Sequence, residues 1–108
     1  MTLNEYQELA QRTSNRTLDI KGHLLNGVLG LAGEAGECAD LVKKHCFQDA
    51  RPIHDALIDE LGDVLWYVGE TAAAMGVSLE EVGRHNVEKL RKRYPEGFEA
   101  QRSLHREE

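Results

Sequence analysis

Apolar residues recur at intervals of three and four along most of the chain and never alternate for long. That period predicts helices and no sheet. Four helical stretches follow from it. The first opens with Thr2 and Glu5 in capping-box spacing and carries Leu3, Tyr6, Leu9 and Ala10 on one stripe. A polar connection from about Thr13 to Gly22 separates it from the second. The second runs from about His23 to Cys46, with Leu24, Leu25, Val28, Leu31, Ala32, Ala35, Cys38, Ala39 and Val42 at helical spacing. Lys43, Lys44 and His45 sit in its last turn, where positive charge favours the helix dipole. Phe47–Arg51 reads as a loop, and Pro52 suits the first position of a third helix that continues to Met75 and stops at Gly76. Ser78 and Glu81 form a second capping box, flanked by Val77 and Val82 as a hydrophobic staple. The fourth helix passes through Leu90 and ends before Pro95. From about Glu99 onward the chain is polar and is expected to fray. The fold class is therefore all-α, a four-helix bundle.

Composition narrows the function. The 108 residues allow one domain, expected to span 1–108. A chain this short buries only about 60–70% of its unfolded surface, so association is expected. Nineteen acids against thirteen bases give a net charge of −6, which argues against a general nucleic-acid binder. No apolar run is long enough for a membrane span and no signal-peptide pattern opens the sequence, so a cytoplasmic protein is expected. Cys38 and Cys46 lie eight residues apart on one predicted helix, about 12 Å along its axis and too far for a mutual disulfide. They read as small core residues, and a zinc site with His45 and His54 lacks the close cysteine pairing that structural zinc prefers.

The carboxylates change the picture most. Glu34 and Glu37 share a face of the second helix, and Glu60 and Asp63 repeat the three-residue spacing on the third. Both pairs interrupt the most apolar segments, LGLAGEAGECA and ALIDELGDVLWYV. If the two helices pack antiparallel, four carboxylates converge in the bundle interior. Like charges gathered there either take up protons or bind cations. An oxygen-only donor set favours a hard ion, Mg²⁺ or Mn²⁺, over zinc.

Other residues join this chemistry. Gly27, Gly30, Gly33 and Gly36 recur every third residue within a helix, where each costs about 1 kcal/mol relative to alanine. They imply close helix packing, space for a ligand, or both. Between Asp55 and Glu70 there are five acids and no base, whereas Arg84, Lys89, Arg91, Lys92 and Arg93 crowd the fourth helix. A carboxylate-bound metal facing basic side chains suits a phosphate-rich substrate. Trp66 and Tyr67 are candidates to stack on a base, although aromatic residues on such a helix also serve as core.

Glu34-Ala-Gly-Glu37, twenty-two residues, then Glu60-Leu-Gly-Asp63 resembles the motif of the MazG-type, all-α nucleoside triphosphate pyrophosphohydrolases. The flanks LGLAGEAGE, Lys43-Lys44, DELGDVLWY and NVEKLRKRYPEGF resemble that family too, so the likeness covers about residues 24–98. Asp59 departs mildly, since many relatives carry a glutamate there. The resemblance implies hydrolysis between the α- and β-phosphates of a nucleoside triphosphate, giving monophosphate and pyrophosphate. It implies Mg²⁺ held by Glu34, Glu37, Glu60 and Asp63, with one carboxylate orienting or deprotonating the attacking water. Glu37 is the candidate for that step, with Glu34 beside it. Lys44, Asn86, Lys89 and Arg93 match positions for phosphate contacts, and Tyr67 for the nucleobase side. It implies a homo-oligomer, dimer or tetramer, with sites near subunit interfaces and residues of one subunit acting in a neighbour's site. Two alternatives remain open at this level: a phosphoribosyl-ATP pyrophosphohydrolase, and a helical dimerisation or regulatory module without catalysis.

Overall fold

The computed structural model describes residues 1–48 and 51–98. It contains four helices, α1 (Leu3–Gln11), α2 (Ile20–Phe47), α3 (His54–Ala74) and α4 (Leu79–Arg93), and no sheet forms among the described residues. The expected all-α architecture is therefore present.

Local chemistry sets the helix ends. Thr2 Oγ1 accepts from Glu5 N at 3.1 Å and Glu5 Oε1 accepts from Thr2 N at 3.0 Å, closing the capping box of α1. α2 begins at Ile20, earlier than the hydrophobic period indicates, because Asp19 caps it by accepting from Gly22 N at 2.7 Å. It also runs through Phe47, which had been expected in the loop. Pro52 stands outside α3 rather than at its first position. Ile53, with φ −116° and ψ 5°, separates it from the helix that starts at His54. α3 ends in a Schellman turn: Gly76, at φ 72°, donates to Ala73 O at 3.0 Å, and Val77 donates to Ala72 O at 2.9 Å. Ser78 Oγ then accepts from Glu81 N at 3.1 Å and opens α4. The expected polar tail from Glu99 lies outside the described residues, as does the middle of the α2–α3 connection.

α2 and α3 form the main contact, an antiparallel hairpin with a register visible in its glycines. A methyl group on Gly27 would strike Thr71, including its Cα at 3.2 Å, and one on Gly30 would strike the Tyr67 ring. Close approach thus explains these two glycines. Gly33 and Gly36, beside the motif glutamates, and Gly62, between Glu60 and Asp63, face open space instead.

α1 crosses over the other end of the hairpin. Buried Gln7 donates to Gly69 O at 3.3 Å and Val77 O at 3.1 Å and accepts from Leu79 N at 2.9 Å, tying α1 to α3 and α4. Trp66 Nε1 donates to Thr13 Oγ1 at 2.8 Å and Ala10 O at 3.2 Å. Ala72 and Leu79 are the fully buried apolar residues of the described chain. The radius of gyration is 16.7 Å, against about 13 Å for a compact domain of this size. The molecule is extended and leaves much apolar surface uncovered. Leu25, Leu29, Ile58 and Leu61 are each more than half exposed.

Candidate active site

The antiparallel register of α2 and α3 brings their carboxylates together. Oxygen atoms of Glu34, Glu60 and Asp63 lie within 4.8 Å of one another, where a single cation could touch all three. Glu34 and Glu60 are half-buried and Asp63 is exposed, so the group lies at the open edge of the hairpin rather than in a sealed interior. Glu37 is exposed and stands outside this trio, although its charge still acts on Glu60. The expected convergence of four interior carboxylates is thus corrected to three at a half-open seam. Glu37 sits almost a full turn past Glu34, rotated outwards on α2.

The trio is electrostatically unsettled without a counter-charge. A hydrogen bond from Glu34, then burial, then the charges of Glu34, Asp63 and Glu37 hold the Glu60 carboxyl above its ordinary pKa. α1 also reaches the site: burial and the charge of Asp63 raise the Tyr6 phenol. This neighbour was not singled out in the sequence, because nothing in spacing links residue 6 to residue 63.

The cationic candidates stand elsewhere. Lys44 pairs with Asp40 at 2.9 Å, both side chains being about half exposed. That hydrogen bond and charge pair raise the lysine and lower the aspartate. Asn86 and Lys89 are exposed on α4. Among the described residues, no hydrogen bond or ion pair joins Asn86, Lys89 or Arg93 to the carboxylates of the same chain. Arg93 keeps a buried Nε without a partner. Tyr67 is half-buried, lies across Gly30 and meets Trp66 edge-on at 4.9 Å. The stacking role considered for Trp66 does not fit its position, since its indole N–H is held by the end of α1.

A second polar centre escaped sequence reasoning. Glu70, two turns beyond Asp63 on α3, is 1% exposed. It accepts from Gln11 at 3.1 Å, Ser14 at 2.8 Å and Asn26 at 3.4 Å, and meets His23 Nδ1 at 3.3 Å. Burial by itself raises this carboxyl, but the hydrogen bonds from Gln11, Ser14, His23 and Asn26 outweigh it, and its pKa falls below the ordinary value. The available signal was an acid in the apolar run WYVGETAAA; its four partners come from distant positions.

Fold and site define an all-α domain whose facing helices present carboxylates suited to a hard divalent cation. The model of the MazG nucleotide pyrophosphohydrolase domain matches residues 24–98. The chain belongs to that family. It is also 42% identical over 74 residues to the Gene 37 protein of Mycobacterium phage L5, a match that covers 64% of each protein. The chain thus spans slightly less than two thirds of that relative's length. No solved structure matches it. Among the described residues, no helix is long and apolar enough to cross a membrane.

Proposed function

We propose that the chain hydrolyses (deoxy)nucleoside triphosphates between the α- and β-phosphates, releasing monophosphate and pyrophosphate, with Mg²⁺ as cofactor and Mn²⁺ as a substitute. The observation that carries this reading is the meeting of Glu34, Glu60 and Asp63 oxygens within 4.8 Å. Three hard oxygen donors and a carboxyl held above its ordinary pKa by its neighbours fit a divalent cation. When bound, such an ion supplies charge neutralisation for the triphosphate and lowers the pKa of water.

The chain's own groups do the rest. Glu34, Glu60 and Asp63 would hold the ion, and Glu37 stands beside them on the exposed side of α2. Glu37 is also the group that takes a proton from the attacking water, because it stands next to the trio without belonging to it. Tyr67, one turn beyond Asp63, flanks the nucleoside. Lys44 lies on the Glu37 side and is available to phosphate once Asp40 is displaced.

Asn86, Lys89 and Arg93 act on phosphate in the site of a second copy. Two observations support this. They make no bond to the carboxylates of their own chain, and the hairpin that carries those carboxylates exposes Leu25, Leu29, Ile58 and Leu61. A second copy covering that face removes apolar surface from water, worth about 25 cal/mol per Å². It also brings basic helix against acidic hairpin. The open space at Gly33, Gly36 and Gly62 fits such an approach. The biological task that follows is removal of surplus or noncanonical nucleotides.

The experiment is product analysis after incubation with Mg²⁺ and each common NTP and dNTP, with an EDTA control. Monophosphate and pyrophosphate, abolished by EDTA, are expected. Release of orthophosphate would overturn the cleavage position. Hydrolysis confined to phosphoribosyl-ATP would redirect the substrate, and absence of turnover would favour a non-catalytic module.

A further inference from the structure

The Glu70 cluster is a buried charge that the proposed chemistry does not use, and it lies on the same seam as the acidic trio. On α3, Asp63, Tyr67 and Glu70 occupy successive turns of one face. On α2, Glu34, Gly30 and Asn26 do the same, with His23 one turn further. Tyr67 lies across Gly30, and Asn26 and His23 reach Glu70. The stripe therefore runs from the carboxylate trio, past an aromatic ring, to a polar cluster. Asn26 stands about 12 Å from Glu34 along the axis of α2. A nucleoside triphosphate with its phosphates at the trio spans a comparable distance to the edge of its base.

Hydrogen-bond chemistry then fixes what this cluster presents. An ionised carboxylate accepts and cannot donate. Asn26 must therefore turn its NH₂ toward Glu70, which leaves Oδ1 pointing away. His23 meets Glu70 through Nδ1, so that nitrogen presents its N–H to the carboxylate. Asn26 is exposed, and its Oδ1 takes no hydrogen bond from the described residues. The His23 side chain is 22% exposed. Gln11 and Ser14, the other partners of Glu70, are also donors toward it, so no group in the cluster competes with this orientation.

We propose that Glu70 is a specificity-determining residue: by orienting the Asn26 amide, it offers an acceptor, Asn26 Oδ1, that selects a nucleobase bearing an amino group where its counterpart bears a carbonyl, as at C4 of a pyrimidine or C6 of a purine. Glu70 touches no substrate and acts through Asn26. The inference rests on the triphosphate reading of the acidic trio. It assigns cytosine and adenine nucleotides as the preferred class over their keto counterparts, whose carbonyl would face the Asn26 acceptor.

Pairs that exchange this amino group for a carbonyl, with the adjoining ring nitrogen changing from acceptor to N–H, test it: CTP against UTP and ATP against ITP, each as kcat/KM with Mg²⁺. The amino member of each pair is expected to be preferred about tenfold, the worth of one well-placed hydrogen bond. Asn26→Ala, on an exposed helical position, is expected to reduce that ratio toward one mainly through KM of the amino nucleotides. Glu70→Gln frees the Asn26 amide to turn over and is expected to reduce the ratio as well; a purely structural role would lower all four substrates alike. Equal rates within both pairs, preference for the keto members, or an unchanged ratio in Asn26→Ala would overturn the inference while leaving hydrolysis intact. Absence of turnover with all four would overturn the triphosphate reading, and this inference with it.

Discussion

Glu34 and Glu60 bring carboxylate oxygens together across the α2–α3 seam, with Asp63 completing a trio within 4.8 Å. Like charges this close repel one another, and a divalent cation among them would offset that repulsion. Mg²⁺ or Mn²⁺ should accordingly raise the melting temperature of the wild-type chain. At a hundredfold excess over Kd the gain is about 2.7 kcal/mol. Glu60→Gln should raise the melting temperature without metal, because a like charge is gone, and should abolish the response to Mg²⁺. Thermal melts of both proteins with and without EDTA check this.

Glu37 has a different position and should have a different signature. It stands outside the trio, so Glu37→Gln should retain most of the Mg²⁺-induced stabilisation while losing hydrolysis by about 10²–10⁴-fold, the usual worth of a general base. Asp63→Asn should lose both. Steady-state rates beside metal-dependent melting separate the two residues.

The pH dependence of stability carries opposite signs from two acids. Glu70 titrates below its ordinary value of 4.5 in the folded chain, so its contribution is present above that value. It is lost as pH falls from there through the lowered folded pKa. Glu60 is raised above 4.5, so acidification through its folded pKa relieves repulsion and adds stability. Glu70→Gln should cost about 2 kcal/mol at neutral pH, since four donors lose an ionised acceptor. That cost should shrink below pH 4.5. Urea titrations of both chains across pH 3–7, a range spanning the ordinary carboxyl values, measure the difference.

The helical glycines divide by what they face. Gly27→Ala would press a methyl group against Thr71 and should destabilise by about 1–3 kcal/mol, the range for overpacking. Gly33→Ala enters open space within the chain and should stabilise an isolated subunit by up to about 1 kcal/mol through helix propensity. Where a second copy covers α2, that gain should turn into weaker association. Chemical denaturation at two protein concentrations resolves both effects.

Leu29, 67% exposed on α2, tests the proposed contact with a second copy directly. Leu29→Lys removes nothing buried within the subunit and should leave its helicity unchanged. It should shift the chain to monomer and, with the basic helix of the second copy gone, lower kcat/KM. Light scattering alongside circular dichroism and activity checks all three.

Much of the molecule was legible without coordinates. Thr2 and Glu5, Ser78 and Gly76 mark helix ends by local hydrogen-bonding chemistry, which depends on neighbours three or four positions away. The missed boundaries are also local. Asp19 caps α2 with no hydrophobic signal, and Ile53 breaks the chain between Pro52 and α3. The three-residue spacing of the acids identified which carboxylates share a face, since helix geometry fixes that from sequence alone.

Which carboxylates meet was a matter for the tertiary structure. The rotation and register of α2 against α3 are set by Gly27 at Thr71 and Gly30 at Tyr67, contacts between residues far apart in the chain. They bring Glu34 to Glu60 and Asp63 and leave Glu37 outside. Glu70 depended still more on packing, because its charge is held by donors from α1, the α1–α2 connection and α2. Sequence determined the helices, their ends and the acids they carry, through interactions within a turn or two. Only packing decided how those helices are turned against one another, because side-chain contact across the seam has no local period to announce it.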